Sequence, residues 1–216
     1  MKKILILAAS PRKNGNTNSI VKEVASEFAK AEDAVTFEVI DLAEADIKPC
    51  LSCRCCQTDW DDVFCMQEDD MTVAGPFGNE SLFDKINGCD MLILATPIYS
   101  WYCTPPMKAL LDRCVYAFNK YYDDVSGTHG GKRGPSLWAG KKVALITTCG
   151  YPPEKGMDLL EEGIKRYCNH SQLEYVGSIV ERNEGYTGEF MDEGKAARAK
   201  AFARQLLDEL RQSKKL

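Results

Sequence analysis

The chain has only two histidines in 216 residues, His129 and His170, so imidazole acid–base chemistry and histidine-rich metal sites have little to draw on. It has no basic excess either. Against 27 Lys and Arg stand 32 Asp and Glu, a formal charge of −5, and no positive stripe marks a nucleic-acid surface. No apolar run approaches the roughly 18 residues of a membrane span. The start, Met1-Lys2-Lys3-Ile4, sets charge before apolar residues, but the run stops at Ala9 with no cleavage region before Arg12 and Lys13. It reads as a strand rather than an export signal. Neither G-x-G-x-x-G nor G-x-x-x-x-G-K-S/T follows that strand, so the dinucleotide and P-loop fingerprints are unsupported. There is no internal repeat and no low-complexity tract. The expectation is one cytoplasmic domain over residues 1–216, with no nucleic-acid or membrane partner.

Apolar runs bounded by polar turns are plentiful. Residues 3–9, 90–96 and 142–148 read as strands buried on both faces, and residues 35–40 and 175–180 complete a set of five. Helical patterns cover residues 17–31, 80–87, 107–118, 154–169 and 193–212. Thr104 reads as an N-cap, with Pro105 and Pro106 in the first turn. Residues 121–140 carry five glycines and two aspartates without a period and read as a long loop. Strands alternating with helices give an open parallel α/β sheet, whose ligands bind beyond the carboxyl ends of the strands.

Three of those strand ends carry unusual residues. After the first strand comes Ser10-Pro11-Arg12-Lys13-Asn14-Gly15-Asn16-Thr17, then a helical pattern beginning near Ile20. A helix start leaves N–H groups without partners and carries partial positive charge, and this turn adds hydroxyls, amides and a guanidinium. It reads as a phosphate cradle, with an ordinary helix cap as the bland alternative. Pro97-Ile98-Tyr99-Ser100-Trp101-Tyr102 suits a flat ring with polar edges, unless its aromatics serve core or interface packing. Thr147-Thr148-Cys149-Gly150-Tyr151 offers hydroxyls and close backbone approach. Phosphate cradle, ring loop and polar loop together suggest a phosphorylated flavin.

Ser10-Pro11-Arg12-x-x-Gly15-Asn16-Thr17 resembles the phosphate loop of the NADPH-dependent FMN reductase family. So does Pro97-Ile98-Tyr99 followed ten residues on by Lys108-Ala109-Leu110-Leu111-Asp112-Arg113. The resemblance implies a flavodoxin-like three-layer sandwich with a five-stranded parallel sheet of order 2-1-3-4-5. It implies FMN at the ends of strands one, three and four, and a homodimer or homotetramer. Carried over by position, Ser10, Arg12, Asn16, Thr17 and Asn18 hold the phosphate. Pro97, Ile98, Tyr99, Ser100 and Trp101 line the isoalloxazine, and Thr147, Thr148 and Gly150 close the other side. Family members often have a small residue where Trp101 stands. The indole therefore either narrows the flavin pocket or turns out toward a partner subunit.

Ten cysteines is a high count, and five of them lie between Cys50 and Cys65, inside a cysteine-rich insert at 48–68. In a reducing compartment disulfides are a poor default. The other five read as small buried apolar residues. Cys50, Cys53, Cys56 and Cys65 form C-x2-C-x2-C-x8-C, close thiolate spacing of the kind a [4Fe-4S] cluster requires. The stretch resembles that of the iron–sulfur flavoproteins, including the Asp69-Asp70-Met71 that follows it. Cys55 is an extra candidate ligand, and the last gap is longer than in that branch. Zinc, a redox disulfide and free thiols stay open beside the cluster.

The expected activity is electron transfer from NADPH or NADH through FMN to an acceptor, with no side chain needed as acid or base. A second reading is an electron carrier reduced by a ferredoxin-like partner. A third is a zinc-stapled interaction protein without flavin. His170 reads as a surface or cap residue. His129, in the long loop over residues 119–140, is within possible reach of the flavin.

Overall fold

The computed structural model describes residues 1–31, 34–121, 133–156, 158–185 and 189–212. Its main sheet has strands β1 (Lys2–Ala8), β2 (Val35–Asp41), β3 (Met91–Pro97), β6 (Lys142–Cys149) and β7 (Glu174–Arg182) in the order β2-β1-β3-β6-β7. Every pairing in it is parallel. Counted within this sheet alone, that is the expected 2-1-3-4-5.

The apolar runs look continuous, but the pleat divides them between two cores. Ile4, Ile6, Ile93, Ala95, Ala144 and Ile146 face one side. There they meet Ile20, Val24 and Phe28 of α1 (Asn16–Phe28) and Phe202, Ala203 and Leu206 of α6 (Glu193–Arg211). Leu5, Leu7, Leu92, Leu94, Val143 and Leu145 face the other side. Their partners are α2 (Leu82–Gly88), α3 (Pro105–Phe118) and α5 (Asp158–His170). The result is the flavodoxin-like three-layer arrangement. A short α4 (Pro153–Gly156) precedes α5. Among the described residues, no helix is long and apolar enough to cross a membrane.

The stretch read as a loop over residues 119–140 is partly a hairpin. β4 (Asn119–Tyr121) pairs antiparallel with β5 (Arg133–Ser136). Gly134 and Pro135 conceal β5 from propensity, yet the glycine is required. A Cβ there would stand 2.8 Å from the Lys120 carbonyl oxygen. Trp138, 2% exposed, stacks on Phe118 at 4.4 Å and anchors the returning strand. Residues 122–132, including His129, lie outside the described residues. His170 closes α5, its Nε2 2.6 Å from Tyr121 Oη.

Candidate functional site

The β1–α1 turn leaves the first N–H groups of the helix without a side-chain cap. The N-cap of α1 is Gly15, and no side chain caps the helix. Among the described residues, the backbone N–H groups of Asn16, Thr17 and Asn18 find no acceptor, whereas that of Ser19 bonds to Gly15 O at 3.0 Å. These are the donors a bound phosphate uses. The turn is tight. Gly15 N–H donates to Arg12 O at 2.9 Å, and a Cβ on Gly15 would lie 3.0 Å from Arg12 Cβ and O and 3.1 Å from Ser10 Oγ.

Its side chains divide into two groups. Ser10 is buried, with Oγ 3.4 Å from Arg12 N and 3.3 Å from Arg12 O. Asn18 Nδ2 donates to the carbonyls of Arg12 and Lys13, both at 3.2 Å, so its amide shapes the turn from inside. Arg12 is exposed above, and Asn16 is half-buried.

Thr148 ties the three strand ends together. Its hydroxyl lies 2.7 Å from Thr17 Oγ1, and its carbonyl accepts from Ile98 N–H at 2.9 Å. Thr147 projects to the other face, buried, with Oγ1 unpartnered. Sequence reasoning placed Thr104 at a helix start but did not show what its hydroxyl holds. It is the N-cap position of α3, as read, but its hydroxyl donates to the Ala9 carbonyl at 2.7 Å and does not cap the helix. Pro106 removes the N–H of the second helical position, one of the two that a cap can serve, and the Thr104 hydroxyl does not accept from the other, on Met107. The freed hydroxyl instead fixes the residue immediately before Ser10.

The second loop is a two-residue hairpin. Tyr99 N–H donates to Tyr102 O at 2.9 Å and Tyr102 N–H to Tyr99 O at 3.0 Å. Ser100 (φ 49°) and Trp101 (φ 64°) both sit in the left-handed region, the conformation of a type I′ turn. The turn holds Trp101 outward, 52% exposed, facing Tyr151 across a cleft of about 240 Å³ lined also by Ile98, Ser100, Cys149 and Gly150. Tyr102 turns the other way, against Gly163 of α5, where a Cβ would lie 3.0 Å from its ring. It is a packing residue, whereas Trp101 stands at the cleft. Because type I′ favours Asn-Gly, the double change Ser100→Asn, Trp101→Gly is expected to stabilise the ligand-free protein by about 1 kcal/mol. A melt raised by about 2–4 °C checks it.

Cys50, Cys53, Cys56 and Cys65 line one narrow pocket, with Arg113, Tyr116 and Ala117 of α3 on its inner wall. Cys55 does not line it; its Sγ lies 3.2 Å from Met66 Sδ. Ser52 and Arg54 have positive φ, and Ser52 N–H donates to Cys50 Sγ at 3.4 Å. Hydrogen bonding from the Cys55 backbone holds the Cys53 thiol below its ordinary value, while burial pushes Cys56 up. Among the described residues, no three Cys, His, Asp or Glu side chains stand in metal-holding geometry. The donor set fits a sulfur-ligated centre, and the thiols must draw together to hold one.

Behind the pocket, Asp69 receives Arg113 Nη1 at 2.6 Å and Nη2 at 3.3 Å, together with the backbone N–H groups of Lys48 and Met71. Lys120 is fully buried, donating to the carbonyls of Cys56 and Asp62, each at 2.8 Å. Asp69 and Arg113 stood inside quoted motifs; Lys120 carried no sequence signal.

Comparison with known proteins shows the family and the fold. The chain is 30% identical over 111 residues to an iron-sulfur flavoprotein of Methanocaldococcus jannaschii, covering 51% of each chain. It is 30% identical over 120 residues to an iron-sulfur flavoprotein of Methanosarcina thermophila, covering 56% of each. The chain thus spans about half the length of the curated relatives it matches. The fold is similar to that of an NAD(P)H:quinone oxidoreductase from Methanothermobacter marburgensis, with a TM-score of 0.65, 18% identity, and coverage of 97% of this chain and 98% of that one. The family model described as NADPH-dependent FMN reductase matches residues 2–162, three-quarters of the sequence, and the chain belongs to that family.

Proposed function

We propose that the chain is an FMN-dependent NAD(P)H oxidoreductase that passes electrons onward by way of a [4Fe-4S] cluster in the cysteine pocket. The observation that carries the flavin half is the uncapped start of α1, with three free N–H groups beside the Thr17–Thr148 pair at the carboxyl end of the sheet. Bound FMN supplies hydride acceptance and one-electron release. The chain's own residues bind and orient. Asn16, Thr17 and Asn18 would present N–H groups to the phosphate, with Ser10 and Arg12 completing the cradle. Trp101 and Tyr151 flank the ring position and keep water from its face, and Thr148 joins the phosphate turn to the ring loop. No side chain is required to move a proton.

The metal half rests on the four thiols lining one pocket, with Cys55 outside it. That favours Cys50, Cys53, Cys56 and Cys65 as the ligand set. The same pocket also supports a second reading, an electron carrier reduced by a ferredoxin-like partner. Stopped-flow mixing separates the two. Flavin bleaching by NADPH or NADH supports the reductase; reduction only by a ferredoxin supports the carrier.

Thr17→Val removes the hydroxyl facing Thr148 and one donor near the cradle. A lost buried hydrogen bond is worth about 1–3 kcal/mol, so FMN affinity should fall about tenfold to a hundredfold. Fluorescence titration reads this. Unchanged affinity would move the phosphate elsewhere.

A further inference from the structure

Two buried cations stand against the cysteine pocket, and neither is used by the flavin site. Arg113 is 3% exposed. Its Nη1 and Nη2 are committed to Asp69, and Nη1 also donates to the Lys48 carbonyl at 3.0 Å. Its Nε is buried with no partner, on a side chain that lines the pocket. A buried guanidinium N–H without an acceptor is costly, and a good acceptor is worth correspondingly more there. Lys120 contributes the second charge, its ammonium held by the Cys56 carbonyl on the backbone of the cysteine turn itself. Among the described residues, Asp59 and Asp62, the carboxylates whose charge acts on Lys120, are exposed to solvent, and Asp69 is already shared with Arg113. Arg54 adds an exposed cation at the pocket's mouth.

Positive charge arranged in this way favours a negative occupant, and favours it more after it has gained an electron. Net charge and hydrogen bonds to sulfur are what set the potential of a thiolate-held iron centre. We infer that Arg113 and Lys120 are positioning residues for the sulfur centre: Arg113 donates its spare Nε–H to a sulfur at the pocket, and the two cations together raise the centre's reduction potential. This rests on the iron–sulfur reading of the pocket. It also gives α3 a double role, because the helix starts just after the ring loop and carries Arg113 about 12 Å further along its axis.

The test is an anaerobic redox titration of the reconstituted full chain, followed by electron paramagnetic resonance, with flavin absorbance read in the same samples. Arg113→Lys keeps the charge beside Asp69 and loses the Nε–H. Lys120→Met keeps the bulk and loses the charge. Each should lower the reduced-to-oxidised ratio of the cluster at fixed potential about tenfold, equivalent to about 59 mV for one electron. The flavin potential should not move. Lys108→Met, an exposed cation on the same helix, should leave both unchanged. Should Arg113→Lys fail to fold, Lys120→Met carries the measurement. Variants that titrate with the wild type overturn the inference alone, as do variants that shift flavin and cluster equally. A wild type that takes up no iron and sulfide overturns the iron–sulfur reading and the inference with it.

Discussion

Asp69→Asn is expected to destabilise the protein by about 3–5 kcal/mol, a large share of the roughly 5–15 kcal/mol that holds a domain folded. Asp69 and Arg113 have side chains 0% and 1% exposed. The carboxylate accepts four hydrogen bonds, from Nη1 and Nη2 of Arg113 and from the backbone of Lys48 and Met71. Asparagine offers one oxygen where two are used, turns an NH2 group toward donors, and leaves the guanidinium buried without a counter-charge. The exposed pair of Lys108 and Asp112 supplies the contrast. Asp112→Asn should cost no more than about 0.5 kcal/mol, because solvent already screens that pair. Urea melts of the two variants read the difference directly. Equal midpoints would mean that the buried pair is not what fixes the cysteine segment to α3.

The fold was legible in the sequence because parallel central strands announce themselves as apolar runs. The division of those runs into two cores follows from the pleat alone. The helix faces came through as well. The helical pattern expected over residues 193–212 is α6, and it buries one apolar face, Ala199, Phe202, Ala203, Leu206, Leu207 and Leu210. The hairpin of β4 and β5 was not legible, because β5 carries glycine and proline, and the glycine stands there for its close approach to the Lys120 backbone. Ser100 and Trp101 gave no turn signal, since neither is the residue a left-handed turn prefers. Thr104 was placed correctly at the N-cap of α3, but its bond to the Ala9 carbonyl joins segments far apart in sequence and only the fold reveals it. Lys120 was invisible for a general reason. A lysine in sequence reads as surface, and only the fold reveals carbonyls waiting for it.

The cysteine replacements carry the largest functional effect. Cys50→Ser, Cys53→Ser, Cys56→Ser and Cys65→Ser should each reduce iron and sulfide after reconstitution at least tenfold from a wild-type level of roughly four per chain. Cys55→Ser should retain the wild-type level, because its sulfur lies against Met66 outside the pocket. All five variants should bind FMN as the wild type does, since the cleft proposed for the flavin is lined by residues 98, 100, 101 and 149–151. Loss of iron in Cys55→Ser with retention in Cys65→Ser would redraw the ligand set. One tightly held zinc in place of iron and sulfide, dependent on the same four residues, would replace the electron-carrying role with a structural one.

The most direct test of the account is the visible absorption spectrum of the full chain purified without oxygen, taken before and after addition of NADPH and then NADH. The account predicts a flavin spectrum overlying the broad absorption of an iron–sulfur centre, with both bleached by at least one of the two nicotinamides. A colourless protein that takes up no FMN when the cofactor is supplied would contradict it at its root, in the turn where α1 begins.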